Sequence, residues 1–260
     1  MMQRLISNKE PLLKTLDEHS HSLSLLSEQE WNKLSALVKL LEPLEKATEM
    51  LGGGNYVTSS VVLPVITFLK KEMIVSEDDP GYVRSFKEAF VVDLTNRSGQ
   101  LYDNGHLSLA TVLDIRFKSL KCLPKNKREP TWSLLRNLAQ EELVEPTKKS
   151  RRMQSKFNCE LSSSDSDDAD SVAAANPVLM EINMYRSLPC ESDMSADPLN
   201  FWKVNHCTYP CLSKVARQCL GIPASSVPVE RVFSIAGEII SKRRSCLSAD
   251  TANMLLSLHY

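Results

Sequence analysis

Residues 222–259 have the sequence IPASSVPVERVFSIAGEIISKRRSCLSADTANMLLSLH, the most strongly patterned part of the chain. Ser225 or Ser226 can cap a helix whose first turn accommodates Pro228, because the N–H that proline lacks would be unsatisfied there. Apolar residues then recur at helical spacing and form one broad face. They are Val229, Val232, Phe233, Ile235, Ala236, Ile239 and Ile240. The pattern predicts an amphipathic helix.

A second helix is predicted to begin after Ser248, with Asp250 in its first turn and Met254, Leu255 and Leu258 on its apolar side. Two such helices in about 60 residues carry more apolar surface than a segment of this size can bury by itself. The surplus surface must therefore contact the rest of the chain, a second copy of the chain, or both.

The composition favours a helical protein. The chain has 260 residues, a net charge of −1 and only eight glycines, whereas all-β folds and glycine-rich phosphate loops use more glycine. The charge balance excludes a histone-like polycation but allows a local basic face. The apolar run at 61–69 contains Pro64 and is far too short to cross a membrane. Seven scattered cysteines, with no signal peptide, indicate reduced thiols in an intracellular protein.

The chain is predicted to have three parts. Residues 1–143 form a helical domain, in which Ser27 and Glu30 make a capping box before Trp31 and the LGGGN sequence at 51–55 stops a helix. Residues 144–196 form a disordered linker that contains LSSSDSDDADSVAAA at 161–175, although helical order resumes near Val178–Tyr185. Residues 197–260 form a compact segment with seven basic and four acidic residues.

The C-terminal segment resembles the C-terminal dimerisation region of the hAT superfamily of DNA transposases. The resemblance rests on Phe201-Trp202, on Tyr209-Pro210-Cys211-Leu212, on Ala216 and on the sequence from Ile222 to His259. The Pro-Val-Glu-Arg-Val-Phe-Ser form at 228–234 is most similar to domesticated zinc-finger BED-domain proteins.

Residues 1–143 resemble the helical part of the same family more weakly. The resemblance rests on the Trp31 helix, on residues 56–64 and on Ala110-Thr111-Val112-Leu113-Asp114-Ile115-Arg116-Phe117-Lys118. Two positions depart from the family pattern, because Ile115 stands where proline is usual and Cys246 where arginine is frequent.

The resemblance implies an origin in an RNase H-like transposase core, in which three carboxylates hold two metal ions. Glu230 matches the third carboxylate, in the Glu-Arg-x-Phe-Ser motif. The two aspartates and the BED zinc finger would precede the helical region, where this sequence offers no place for them. One carboxylate cannot hold two metals, so the chain is predicted to have no catalytic residues and no enzymatic activity, with Glu230 as a vestigial position. In structural terms, Glu230 is a first-turn acid favoured by the helix dipole.

Several other patterns have two interpretations. His206, Cys207 and Cys211 suggest zinc but make a poor tetrahedral set, so no metal and no cofactor is predicted. The basic cluster at 148–152 is either a nuclear import signal or a solvated run, and the serines at 162–166 are either phosphorylation sites or part of a disordered stretch. The spacing of Trp31, Trp132 and Trp202 favours core positions over base stacking.

The sequence thus predicts a mainly α protein that serves as the dimerisation module of a nuclear, hAT transposase-like protein. The predicted association residues are Trp202, Val229, Phe233, Ile235, Ile239, Ile240, Met254, Leu255 and Leu258. The predicted nucleic-acid contacts are Arg231, Lys242, Arg243 and Arg244. The expected partners are a second copy and DNA, without a membrane or a small-molecule substrate. The alternatives are a DNA-binding transcriptional regulator and a fragment of a metal-dependent transposase.

Overall fold

The computed structural model describes residues 1–18, 23, 25–144 and 176–239, together with residues 248, 250, 251, 253, 254 and 257. These residues form helices and no β-strand, which confirms the predicted mainly α fold. The helices are α1 (Met2–Ser7), α2 (Lys9–Glu18), α3 (Glu28–Leu51), α4 (Val62–Glu72), α5 (Gly81–Ser98), α6 (Gly105–Leu113), α7 (Lys125–Val144), α8 (Pro177–Ser187), α9 (Pro198–Val204), α10 (Pro210–Leu220) and α11 (Val227–Ile239). Short 3-10 helices occupy Ser59–Val61 and Gly99–Asp103. Among these helices, none combines the length and the apolar character that a membrane span requires.

The chain divides into two compact units, and the first comprises Met1–Met50 and Val65–Gly99. Its core contains Leu40, Met73 and Val83 from three different parts of the sequence, with Leu44, Phe90 and Val91 packed around them. Burial of this apolar surface stabilises the packing of α3 against α5.

The predicted capping box at the start of α3 is confirmed. The backbone N–H of Ser27 donates to Glu30 Oε2 at 2.8 Å, and the N–H of Glu30 donates to Ser27 Oγ at 3.4 Å. The N–H of Ser27 and the Ser27 hydroxyl, which also donates to Glu30 Oε2 at 2.9 Å, hold the pKa of Glu30 below its usual range. The box places Trp31 in the first turn, where its ring is buried and Lys9 Nζ lies 5.3 Å from the ring centroid.

The second unit comprises Leu51–Pro64 and Gln100–Tyr260, so far as the structure describes them. Helix α6 lies at its centre and contacts the 3-10 helix at Ser59–Val61, α7 and α10. Asn104 caps α6, because its side-chain oxygen accepts from the N–H groups of His106 and Leu107. Every residue from Ser108 to Leu113 is buried. Helix α8 packs against α7 and α10, and α9 packs against α10.

This division differs from the three parts expected from the sequence. The boundary between the units falls inside residues 1–143, and residues 100–143 share one unit with the C-terminal helices. Residues 177–187 form helix α8, with Val178, Ile182 and Tyr185 buried, which agrees with the helical order expected near Val178–Tyr185 at the end of the linker segment. Residues 100–143 share a unit with the C-terminal helices because the apolar faces of α7, α8 and α10 cover one another. A local charge pattern does not reveal such long-range packing.

Candidate dimerisation surface

A buried ion pair follows directly after α6. Asp114 is fully buried, and its carboxylate accepts two bonds from the guanidinium of Arg116, at 2.9 Å from Nε and 2.7 Å from Nη2. Ser60 Oγ donates to Asp114 Oδ2 at 2.6 Å, and Arg116 Nη1 donates to the carbonyl of Met194 at 2.8 Å. Charge-assisted bonds of this kind are strong and directional, so the pair fixes three distant segments of the chain to one another.

Lys118 lies in the same segment and secures the end of α8. Its Nζ donates to the carbonyl oxygens of Tyr185, at 2.5 Å, and of Leu188. The last carbonyls of a helix have no partner within the helix, and here a buried ammonium satisfies them. Burial lowers the pKa of Lys118 from its ordinary value.

An aromatic cluster joins α8 and α9 to the end of α6. Tyr185 is fully buried, its hydroxyl donates to the carbonyl of Val112 at 2.9 Å, and its ring centroid lies 5.0 Å from that of Trp202. Trp202 Nε1 donates to the carbonyl of Leu113 at 2.7 Å. Burial raises the pKa of the Tyr185 phenol well above its usual value. The aromatic rings supply apolar burial, and their polar atoms set the register.

Glu181 of α8 anchors the start of α10. Its carboxylate oxygens accept from the backbone N–H of Cys211 at 3.1 Å and of Leu212 at 3.0 Å. The N-terminus of a helix carries unpaired N–H groups and a partial positive charge, so a carboxylate is favoured there. Glu181 therefore keeps α10 in place although this acid is itself buried.

The connection from α10 to α11 is bonded to the segment that follows α3. The N–H of Ala224 donates to Thr58 Oγ1 at 2.9 Å, and Ser225 Oγ donates to the carbonyl of Leu51 at 3.0 Å. The first turn of α11 is thus held beside residues 51–58. Ser225, a candidate cap in the sequence, uses its hydroxyl for this long-range bond.

Helix α11 presents an apolar ridge to solvent, formed by Val229 and Phe233. These side chains are 56% and 72% exposed, and their i, i+4 spacing places them on one face. An apolar groove of about 430 Å³ borders the ridge, between the start of α11 and the loop at 53–58. Large apolar side chains that are exposed together make this face a candidate association surface.

Trp202 does not belong to this surface, and its placement among the association residues is wrong. Only 4% of the side chain is exposed, because the indole fills the aromatic cluster and its N–H bonds to Leu113. This core position agrees with the interpretation of the tryptophan spacing, and Trp31 and Trp132 are buried as well.

The structure describes some of the other predicted association residues and not the rest. Ile235 is half-buried, Met254 is 66% exposed, and Ile239 ends the described part of α11. The predicted residues Ile240, Leu255 and Leu258 lie outside the described residues, as do the predicted nucleic-acid contacts Lys242, Arg243 and Arg244.

Glu230 lies exposed in the first turn of α11. Its Oε1 accepts from the hydroxyl of Ser226 at 2.5 Å, and the carbonyl of Glu230 accepts from Ser234 Oγ at 3.1 Å. Arg231, the remaining predicted nucleic-acid contact, is exposed on the same helix. The side chain of Glu230 therefore takes part in the start of the helix.

The three residues considered for zinc are not alike in environment. His206 and Cys207 are exposed, with Nε2 and Sγ 3.3 Å apart, whereas Cys211 is buried. Burial raises the pKa of the Cys211 thiol to about 11, which disfavours the thiolate that binds metal. Within the part of the chain that the structure describes, no three histidine, cysteine or acidic side chains are grouped as metal ligands.

A basic groove between α9 and α10 was not predicted from the sequence. Lys203, His206, Lys214 and Arg217 line it, and all four side chains are exposed. In the described ranges, none of Lys203, Lys214 and Arg217 forms an ion pair with a carboxylate. The signal was present in the sequence as Lys214 and Arg217, three residues apart on one helix.

Comparison with known proteins shows what the C-terminal helices are similar to. Residues 181–260 match the family model of the hAT family C-terminal dimerisation region. The chain is 26% identical over 277 aligned residues to zinc finger BED domain-containing protein 4 of Homo sapiens, which covers 99% of this chain and 22% of that protein. It is 25% identical over 241 aligned residues to putative transcriptional regulator tpeD of Talaromyces stipitatus, which covers 89% of this chain and 27% of that protein.

The chain spans about a quarter of the length of these curated relatives. The family match begins at Glu181, the residue that anchors α10, and so includes part of the segment expected as linker. Residues 181–260 are therefore similar to the hAT family C-terminal dimerisation region, and almost the whole length of the chain is similar to part of a zinc finger BED domain-containing protein.

Proposed function

We propose that this chain is a homodimerisation module of a nuclear, hAT-derived protein and that it carries no catalytic activity. The observation that carries the proposal is the exposed apolar ridge at Val229 and Phe233, which lies within the region that matches the dimerisation family. A dimer gains by removing these side chains from water. The half-buried Ile235, the exposed Met254 and Ile239 at the end of α11 belong to the proposed surface, together with Ile240, Leu255 and Leu258 outside the described residues.

The absence of catalysis is proposed from the role of Glu230. Its carboxylate is engaged with Ser226 at the start of α11, which is a helix-terminal role that needs no metal. The names of the two relatives, a BED zinc finger protein and a putative transcriptional regulator, support the nuclear location.

Phe233→Asp is expected to convert a dimer into a folded monomer. A carboxylate buried at an apolar interface without a partner is strongly unfavourable, so we expect the dissociation constant to rise by about 100-fold or more. Sedimentation across a concentration series measures this change, with circular dichroism as the check on folding.

The matched control pair is Val229→Asp and Val92→Asp. Both valines lie on helices, with 56% and 61% of the side chain exposed, but Val92 is on α5. Only Val229→Asp is expected to weaken the dimer. A wild-type chain that stays monomeric at every concentration contradicts the proposal.

A second candidate function is binding to duplex DNA, and the basic groove favours it. Backbone phosphates would be contacted by the three cations of the groove, which are Lys203, Lys214 and Arg217. Further contacts would come from Arg231, Lys242, Arg243 and Arg244. Each neutralised phosphate contributes about 0.9 to the slope of log affinity against log salt concentration.

The triple variant Lys203→Glu, Lys214→Glu, Arg217→Glu is therefore expected to weaken DNA binding and to reduce the salt slope by about 2–3. Fluorescence anisotropy of labelled duplex DNA provides the measurement. The control is Lys33→Glu, Lys39→Glu, Lys71→Glu, three exposed lysines of the first unit. Equal losses in both variants would show a net-charge effect and would remove the groove from the proposal.

A further inference from the structure

The loop that follows α3 forms one wall of the apolar groove. This glycine loop, residues 52–56, contributes Gly53, Gly54 and Tyr56 to the lining, and Pro228 and Val229 of α11 form the opposite wall. A Cβ at position 54 would lie 3.6 Å from Pro228 Cβ, in ordinary van der Waals contact. The loop thus lies directly beside the residues that carry the ridge, although it precedes the family match by more than 120 residues in the chain.

The ring of Tyr56 lies across Gly53, and 51% of the side chain is exposed. A Cβ at position 53 would lie 2.1–2.4 Å from atoms of the Tyr56 ring, which is closer than any side chain tolerates. Position 53 must therefore be glycine for the ring to lie across the backbone there. A tyrosine side chain has few rotatable bonds and therefore loses little entropy on binding, and tyrosines are enriched among the residues that dominate the energetics of interfaces.

The hydrogen bonds of the connection hold the two walls of the groove together. Thr58 Oγ1 accepts from the N–H of Ala224, and the carbonyl of Leu51 accepts from Ser225 Oγ. These bonds flank the glycine loop on both sides. The loop and the start of α11 are therefore presented to a partner as one surface.

We propose that the dimer surface is completed by the glycine loop, with Tyr56 as an aromatic anchor contacted by a second copy of the chain. This inference rests on the proposed dimerisation function. The second copy is the occupant because the apolar groove is continuous with the ridge: Val229 belongs to both. In a two-fold symmetric dimer, the ridge of each copy enters the groove of the other.

The size of the surface supports the same occupant. A stable interface buries about 800 Å² on each partner, which two side chains of a single helix do not provide. Exposed apolar side chains surround the groove and extend the ridge, with Leu199 44%, Ile222 50% and Tyr56 51% exposed. With these residues, each copy has both a ridge that protrudes and a groove that can receive the ridge of its partner.

The central test is Tyr56→Ala with Tyr82→Ala as its matched control. Tyr82 is 43% exposed and lies on α5, away from the groove residues in sequence and outside the lining. We expect Tyr56→Ala to raise the dimer dissociation constant by about 30-fold, as removal of a central aromatic anchor does, and Tyr82→Ala to leave it unchanged. The wild-type chain and Phe233→Asp are measured in the same sedimentation series.

Gly53→Ala supplies an independent test of the ring position. Displacement of the ring is expected to weaken the dimer by a factor similar to that of Tyr56→Ala. In the Tyr56→Ala background the same change is expected to have no further effect, because the ring that it displaces is gone. Additive effects of the two changes would contradict the assigned role of Gly53.

A cross-linking measurement covers the case in which a variant folds poorly. When Tyr56 is replaced by the photoreactive p-benzoyl-phenylalanine, irradiation is expected to give a product of dimer size, and replacement of Tyr82 is expected to give none. A dimer that Phe233→Asp dissociates, but that neither depends on Tyr56 nor cross-links there, overturns this inference alone. A wild-type chain that never dimerises overturns the proposed function and this inference together.

Discussion

Asp114→Ala is expected to lower the free energy of unfolding by about 3–5 kcal/mol, since removal of one partner leaves a buried charge uncompensated. The charge is that of Arg116, whose side chain is only 9% exposed and which makes two bonds to this carboxylate. The hydroxyl of Ser60 loses its acceptor as well. Urea unfolding followed by tryptophan fluorescence measures the loss.

The control for this effect is Asp103→Ala. Asp103 belongs to the same unit and forms an ion pair with Lys127, but its side chain is 69% exposed. Exposed pairs contribute about 0–1 kcal/mol, so we expect a small change. If the two variants lose equal stability, the buried pair does not have the role assigned to it.

Trp202→Ala is expected to lower the free energy of unfolding by about 3–5 kcal/mol, as truncation of a buried aromatic side chain does. The indole packs against Tyr185 and donates to the carbonyl of Leu113. Trp202→Phe keeps most of the apolar contact and loses the hydrogen bond, so a smaller loss of about 1–3 kcal/mol is expected.

The same variants test the correction of the predicted dimer surface. Because Trp202 is in the core, Trp202→Phe is expected to leave the dissociation constant of the folded dimer unchanged. Val204→Ala, at a position 70% exposed on the same helix, is expected to change stability by less than about 0.5 kcal/mol. A dimer selectively weakened by Trp202→Phe, at full stability, would return Trp202 to the interface.

Local features of the fold could be predicted from the sequence. The capping box at Ser27 and Glu30 depends on residues three positions apart, and the apolar face of α11 depends on spacings of three and four. The hAT resemblance also depended on a continuous stretch and is confirmed by the family match at 181–260.

The pairing of distant segments could not be predicted in the same way. Trp202 and Leu113 are 89 residues apart, and Tyr185 and Val112 are 73 apart, so neither bond leaves a periodic signal. Spacing identified Trp202 as apolar and helical, but it did not show which neighbour covers the ring.

The tertiary contacts of the glycine loop at the candidate surface could not be predicted from the sequence either. The LGGGN sequence predicted where α3 ends, and α3 does end at Leu51. The position of Tyr56 across Gly53, beside Pro228, follows only from the folded arrangement. A run of glycines indicates freedom of the backbone, whereas the side chain that uses this freedom is determined by tertiary contacts.

The core of the second unit combines α6 and α7 with helices that follow much later in the sequence, and this affects the chain during its synthesis. The carbonyl of Leu113 is bonded by a residue that the ribosome adds 89 positions later, which takes about 4–18 s at about 5–20 residues per second. When α6 and α7 have been made, the α10 helix that packs against both of them has not yet been synthesised. The nascent chain thus exposes apolar surface that the folded protein buries, and such surface binds chaperones and causes aggregation.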